Sequence, residues 1–315
     1  MAENAPVTDH FEAQRQLSHP RARVYKNRGV VIELAASYEE MEAESLAAVE
    51  PLWPKYPKTQ KFWNMLLDDV ETRTNWDMAN YMAVNKLGYN DHGMTHGIIA
   101  GTSAIRIFDL LVEAGIKPDV VLSGAGDVDD SCLVTATATL LHDIGNQVHR
   151  QLHPLTGTFL AQGLLDRMMP AIYPDVEQRI ELRAFILHGI LSHDFDPPPL
   201  TFEAGLVGVA DGTDVTKGRG RKAFDLGKID IHSVSALAID EVHIGPGRDF
   251  PVEITVVMNN SAGIFQIEDT LTKKVVHGPL AKWISVVAVT QPADSPNDAR
   301  IIERLTLRNG VFVAE

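Results

Sequence analysis

The sequence predicts a mainly α protein, a helical bundle core followed by a smaller C-terminal α+β domain. Two observations carry this. Apolar residues recur at helical spacing through most of the chain up to Asp211. After about residue 228 the character changes, and Ala238–Ile244, Val252–Met258, Ile284–Val289 and Ile301–Leu307 become β-branched and partly alternating. The expected organisation is an N-terminal arm and helical extension over 1–88, a helical domain over 89–225 and the α+β domain over 226–315.

Taken in order, the first thirty residues are polar and read as an arm, with Val30–Leu34 a short strand. Glu39–Val49 is acidic and alanine-rich, hence helical, and Pro51, Pro54 and Pro57 interrupt it. Lys61–Tyr81 mixes Trp, Met, Leu and charges at helical spacing. Asn90 and Asp91 can cap backbone amides, so a helix is expected from about His92 through Val112, with His92 and His96 on one face. Lys117–Asp130 reads as a loop rich in Gly and Asp. A run of small and apolar residues, Ala136–Leu141, then leads to His142, Asp143 and Gly145. Further helices are expected over Leu155–Met169, Asp175–Leu191 and from Thr201 to Asp211, and a charged loop, Asp214–Arg221, follows. Ile264–Trp283 is expected to be helical with a break near Gly278 and Pro279.

Composition narrows the function. With 28 Lys and Arg against 42 Asp and Glu, the net charge of −14 disfavours a broad nucleic-acid surface but allows a local basic pocket. The lone Cys132 excludes an internal disulfide and suits a reducing compartment. No uninterrupted apolar run reaches the ~18 residues of a bilayer span, and the polar start lacks a signal-peptide apolar stretch, so a cytoplasmic protein without a membrane role is expected. Of the 12 histidines, seven fall between His92 and His193, and imidazole is a favoured metal ligand.

An imidazole and a carboxylate delivered side by side at the end of a buried helix are costly unless paired, protonated or bound to a cation. His142 and Asp143 are in that position, and His96, His153, His193 or His188, and Asp211 lie on other expected helices. Ligands drawn from several packed helices are how an all-α core builds a metal site. Imidazole with carboxylate suits Mn, Fe, Zn, Ni or Co better than Ca, with Mg also open.

The order His96, His142-Asp143, His153, His193 or His188, and Ala210-Asp211 resembles the HD-domain superfamily of metal-dependent phosphohydrolases over residues 89–221. The resemblance implies an HD-type bundle and metal ligation at each of these positions. It also implies two ions bridged by Asp143, with His153 the extra histidine of the two-metal members. His193 fits the spacing to Glu203 and Asp211 better than His188 does. The cyclic-dinucleotide branch usually carries Lys where Asn146 stands and a Gly-Tyr-Pro signature that this chain lacks, so that activity is not implied. The tail, with His232–Ser235 and Met258–Gly263, resembles that of uncharacterised prokaryotic HD proteins.

The implied function is hydrolysis of a nucleotide or other small phosphoester by a metal-activated water, with His142 and Asp143 central to catalysis. Lys217, Arg219 and Arg221 follow Asp211 closely enough to reach a phosphate, unless they are only a solvated loop. Arg150 is a further catalytic candidate, and His92 and His149 are substrate-facing candidates. Asp194 or Asp214 could orient a ligand histidine. Two alternatives stand beside this reading: a di-iron oxygenase with the same ligand order, and a non-catalytic nucleotide sensor. A homodimer is compatible with the sequence.

Overall fold

The computed structural model describes residues 24–27, 30–33, 37–217, 219, 235–291, 302–308 and 310–314. The architecture is the expected one, a helical core with a small C-terminal five-stranded mixed sheet. A hairpin of β1 (Val24–Asn27) and β2 (Val30–Glu33) precedes α1 (Tyr38–Val49). Ser37 and Glu40 form a reciprocal capping box at the start of α1. Pro51 and Pro54 sit in a 3-10 turn, but Pro57 opens α2 (Pro57–Asp68), where a missing N–H is harmless. The single helical segment expected over Lys61–Tyr81 is divided at Asp69, which leaves helical geometry to cap α3 (Val70–Asn80) by accepting from the Thr72 amide.

Helix α4 (Met94–Glu113) begins two residues later than expected. Asn80 Oδ1 accepts from the His92 amide and Asp91 Oδ1 from the Gly93 amide, so these amides are satisfied outside the helix and Gly93 becomes its cap. His92 therefore does not share a regular helix with His96. The loop expected over Lys117–Asp130 contains a short helix, α5 (Asp119–Ser123). Next come α6 (Val128–Leu141), α7 (His153–Met168), α8 (Val176–Ser192) and α9 (Phe202–Thr213).

Helix α6 is the axle of the bundle. Every residue from Asp129 to Leu141 is buried, on all faces. Its polar side chains are accommodated internally: Thr135 and Thr139 hydroxyls donate to the carbonyls of Ser131 and Thr135. Glu203 at the start of α9 accepts from Ser131 Oγ and the Val120 amide, tying α9 to α5 and α6. Trp76 Nε1 donates to Leu140 O at 2.8 Å and fixes α3 against the last turn of α6.

Among the described residues, α4 alone has the length and apolar character to cross a bilayer, but most of it is buried inside the bundle. Its Arg106 and Asp109 interrupt what would otherwise be an apolar run.

The C-terminal sheet runs in sequence order, β3 (Ile239–Gly245), β4 (Val252–Met258), β5 (Ile284–Thr290), β6 (Arg304–Arg308) and β7 (Val311–Ala314). Only β4 and β5 pair in parallel. Their crossover is the helical stretch α10 (Gly263–Ile267), a π turn (Glu268–Thr272) and α11 (Lys273–Val276). Ile267, Leu271 and Val275 recur every four residues and are buried, which fixes one face of this stretch against the core. Gln266, Thr270, Lys273, Lys274 and His277 fall on the other face and line a cavity over the bundle. The boundary expected near residue 225 lies outside the described residues.

Candidate metal centre

Four histidine rings arrive from four places with the same orientation. His142 Nδ1 lies 2.6 Å from Thr139 O, His153 Nδ1 2.9 Å from Arg150 O, and His193 Nδ1 2.7 Å from Ile190 O. His96 Nδ1 lies 2.8 Å from Asp214 Oδ2. Carbonyls and carboxylates only accept, so each Nδ1 donates, and each neutral ring presents its lone pair from Nε2. The sequence arranges this locally: three of the four acceptors are carbonyls three residues earlier in the chain.

The Nε2 atoms converge in pairs, His96 with His142 at 3.2 Å and His153 with His193 at 3.1 Å. Asp143 stands between the pairs. Its Oδ2 is 3.4 Å from His96 Nε2 and 3.2 Å from His142 Nε2; its Oδ1 is 3.3 Å from His153 Nε2 and 4.0 Å from His193 Nε2. Asp211 Oδ1 completes the first group, 3.1 Å from His96 Nε2 and 3.6 Å from His142 Nε2. Asp194 flanks the second, 3.5 and 3.6 Å from the two Nε2 atoms. Two buried His/Asp clusters that share Asp143 can thus each hold a metal ion.

The donor set fits such ions on its own chemistry. Lone pairs 3.1–3.2 Å apart repel unless a proton or cation lies between them. Ligands at ~2.1 Å around a tetrahedral ion would lie ~3.4 Å from one another, the spacing seen in the first group. The six donors are almost wholly withdrawn from water, from His96 at 0% exposure to Asp211 at 9%.

Electrostatics follow from that burial. Burial disfavours a charged His142, yet the Asp143 carboxylate, helped by Asp211, overrides it and raises the pKa to about 10, so His142 Nε2 carries a proton toward the carboxylates that a bound cation would replace. Asp143 and Asp211 are driven well below the ordinary carboxylate range: burial opposes this, and His142 for the one and Lys274 for the other prevail. His193 and His92 are pushed down to about 3 by burial and stay neutral.

Local backbone conformation fixes the second group. Leu152, just before His153, and Phe195, just after Asp194, adopt positive φ values of 64° and 65°, unusual for side chains of their size. A Cβ on Gly145 would lie 2.0 Å from His153 O, so only glycine lets the turn after Asp143 approach the start of α7 this closely.

Above the ligands opens a cavity of about 1050 Å³. Three cations reach its inner wall. Arg150 Nη1 is 3.0 Å from His153 Nε2, and Arg219 Nη2 is 3.0 Å from His96 Nε2. Lys274 forms an ion pair with Asp211 and stands 3.9 Å from Asp194 Oδ1.

Of the candidate residues, the structure brings together His96, His142, Asp143, His153, His193 and Asp211, with Arg150 and Arg219 beside them and His92 in the cavity wall. Four candidates require correction or fall outside. His188 is not at the centre: its Nε2 accepts from the Leu200 amide at 3.0 Å, and of the two only His193, at the end of α8, joins the His/Asp clusters. His149 is exposed, with Nδ1 engaged by the Gln151 amide. Lys217 faces the opposite side of the chain from Arg219, lines a different cavity and pairs with Asp240 at 2.5 Å, away from the His/Asp clusters. Arg221 lies outside the described residues. The sequence reading missed Lys274. The available signal was the Ile267, Leu271, Val275 stripe, which turns lysines to the other face.

Fold and site together define a helical protein with a buried His/Asp centre competent for metal. The chain belongs to the same family as uncharacterized protein MJ1020 of Methanocaldococcus jannaschii, with 38% identity over 249 residues, 79% of this chain and 93% of that protein. No family model matches the chain. No solved structure matches it either.

Proposed function

We propose that this protein is a metal-dependent phosphohydrolase of the HD type, acting on a nucleotide or other small phosphoester. The observation that carries the reading is the convergence of four imidazole Nε2 atoms and two carboxylates on adjoining points, with three cations at the same wall. His96, His142, Asp143 and Asp211 would hold one ion; Asp143, His153 and His193 would hold the other. Divalent cations bound there lower the pKa of a coordinated water and polarise phosphoryl oxygens. Arg150 and Arg219 point charge-assisted donors at the space beside the ligands, where an anion's oxygens would lie. Asp214 holds the His96 ring in the tautomer that coordinates. The ~1050 Å³ cavity has room for a nucleotide and excludes no smaller phosphoester.

A di-iron oxygenase would use similar ligands, but three cations beside the donors favour an anionic substrate. The test is anaerobic phosphate release with Mn over nucleotides and cyclic dinucleotides, on wild type, His142→Ala and Asp143→Ala. Metal-dependent release that both substitutions abolish is expected. Turnover that survives them, or that requires oxygen, overturns the reading.

A further inference from the structure

Lys274 is far from the bundle in sequence, 63 residues beyond Asp211, and is carried by the crossover of the C-terminal sheet. Its side chain is only 12% exposed. The ammonium sits between the two halves of the centre, on Asp211 Oδ2 of one and near Asp194 Oδ1 of the other. Asp211 Oδ1 is thereby left facing His96 and His142. The π turn over Glu268–Thr272 lies directly before α11, and such turns re-aim the residues that follow them.

Charge sets what this cation can do. The Asp269–Lys273 ion pair in the cavity wall cancels internally. Among the other described lining residues, four carboxylates (Asp143, Asp194, Asp211, Asp214) face three cations (Arg150, Arg219, Lys274), leaving one negative charge once the imidazoles are neutral, as metal ligation requires. Two divalent ions would convert that to three positive charges. A phosphomonoester dianion together with a hydroxide matches it, whereas a diester monoanion leaves positive charge buried and uncompensated. Lys274 supplies one of those charges, and it alone comes from outside the bundle.

We propose that Lys274 is an anion-selecting residue of this site, through which the C-terminal unit makes the metal-loaded pocket prefer a terminal phosphate dianion over a phosphodiester. This rests on the metal-dependent reading above. The test is calorimetric binding of phenyl phosphate and diphenyl phosphate to Mn-loaded full-length protein, with Mn stoichiometry measured separately on each variant. Lys274→Met is expected to keep wild-type Mn stoichiometry and to lose about 10-fold or more in phenyl phosphate affinity, with diphenyl phosphate little changed. Lys274→Arg is expected to restore most of the loss, and Lys274→Gln replaces the Met variant if that does not fold. Unchanged phenyl phosphate affinity in Lys274→Met overturns the proposal. Parallel loss of Mn overturns it too, because Lys274 would then only hold Asp211 in place. Failure of wild type to bind Mn is a separate result that overturns the underlying metal reading.

Discussion

Around Asp143 the centre has a closed half and an open half. In the closed half His96, His142, Asp143 and Asp211 surround one point, backed by the fully buried Asp214 and the Thr139 carbonyl. In the open half, His153 and His193 share Asp143 with a cavity wall where Asp194 is 36% exposed and Arg150 32%. Four inward donors suit an ion that stays; three donors beside solvent suit one that keeps a position for water or substrate. One carboxylate joins them, its two oxygens turned to different halves.

The largest effect should come from the shared residue. Asp143→Asn removes charge from both halves and turns an amide donor toward one of them. Bound metal is expected to fall to near zero by elemental analysis, and phosphate release with it. Retention of one ion per chain would show that the halves are independent.

Single-half substitutions separate the two. His142→Ala should abolish binding at the closed half, a loss beyond the ~10–100-fold carried by partners outside the ligand shell. His153→Ala should leave one tightly held ion and remove the weaker one. Titration with Mn, followed by electron paramagnetic resonance, resolves the two sites, and equal losses in both variants would erase the distinction between halves. A smaller effect is expected from Asp214→Asn. The amide oxygen can still accept from His96 Nδ1, but its charge is gone, so affinity at the closed half should fall about 10-fold with the open half unaffected.

The closed half was the more legible in sequence. An Ala- and Thr-rich run ending in His142 and Asp143 has the small side chains that let a helix pack closely in an interior, and a polar pair there needs a partner. The open half was less so, for reasons of helical phase. His188 and His193 lie five residues apart, about 140° around a helix, so one at most faces a given point, and nothing local says which. Lys217 and Arg219 are two apart and face opposite sides, one to Asp240 and the other to His96. The start of α4 was misplaced because Asn80, a helix earlier, satisfies the amide of His92. The Ile267, Leu271, Val275 stripe turns Lys274 away from the core, but its arrival at Asp211 depends on how the sheet crossover docks on α9, a tertiary fact.

The smallest effect is expected far from both halves, and it tests whether the losses above are specific. Asp69 caps α3 and accepts from Arg167 through both carboxylate oxygens at 2.9 Å each. The Arg167 guanidinium holds its pKa at about 2 against an ordinary 3.8, with the Thr72 amide and hydroxyl helping against partial burial. A depressed pKa in the folded state stabilises the fold above the unfolded value, and the contribution drains away as pH falls through the folded one. Asp69→Asn should therefore destabilise by about 1 kcal/mol at neutral pH, a modest figure because Arg167 is nearly half exposed and solvent screens the pair. Urea midpoints for wild type and variant should converge between pH 4 and pH 2, a window set by the two pKa values. Mn binding by Asp69→Asn at neutral pH should match wild type at both halves. A change in either would mean that α3 stability is coupled to the centre through Trp76 and Leu140, and the losses assigned to individual ligands would then include a global part.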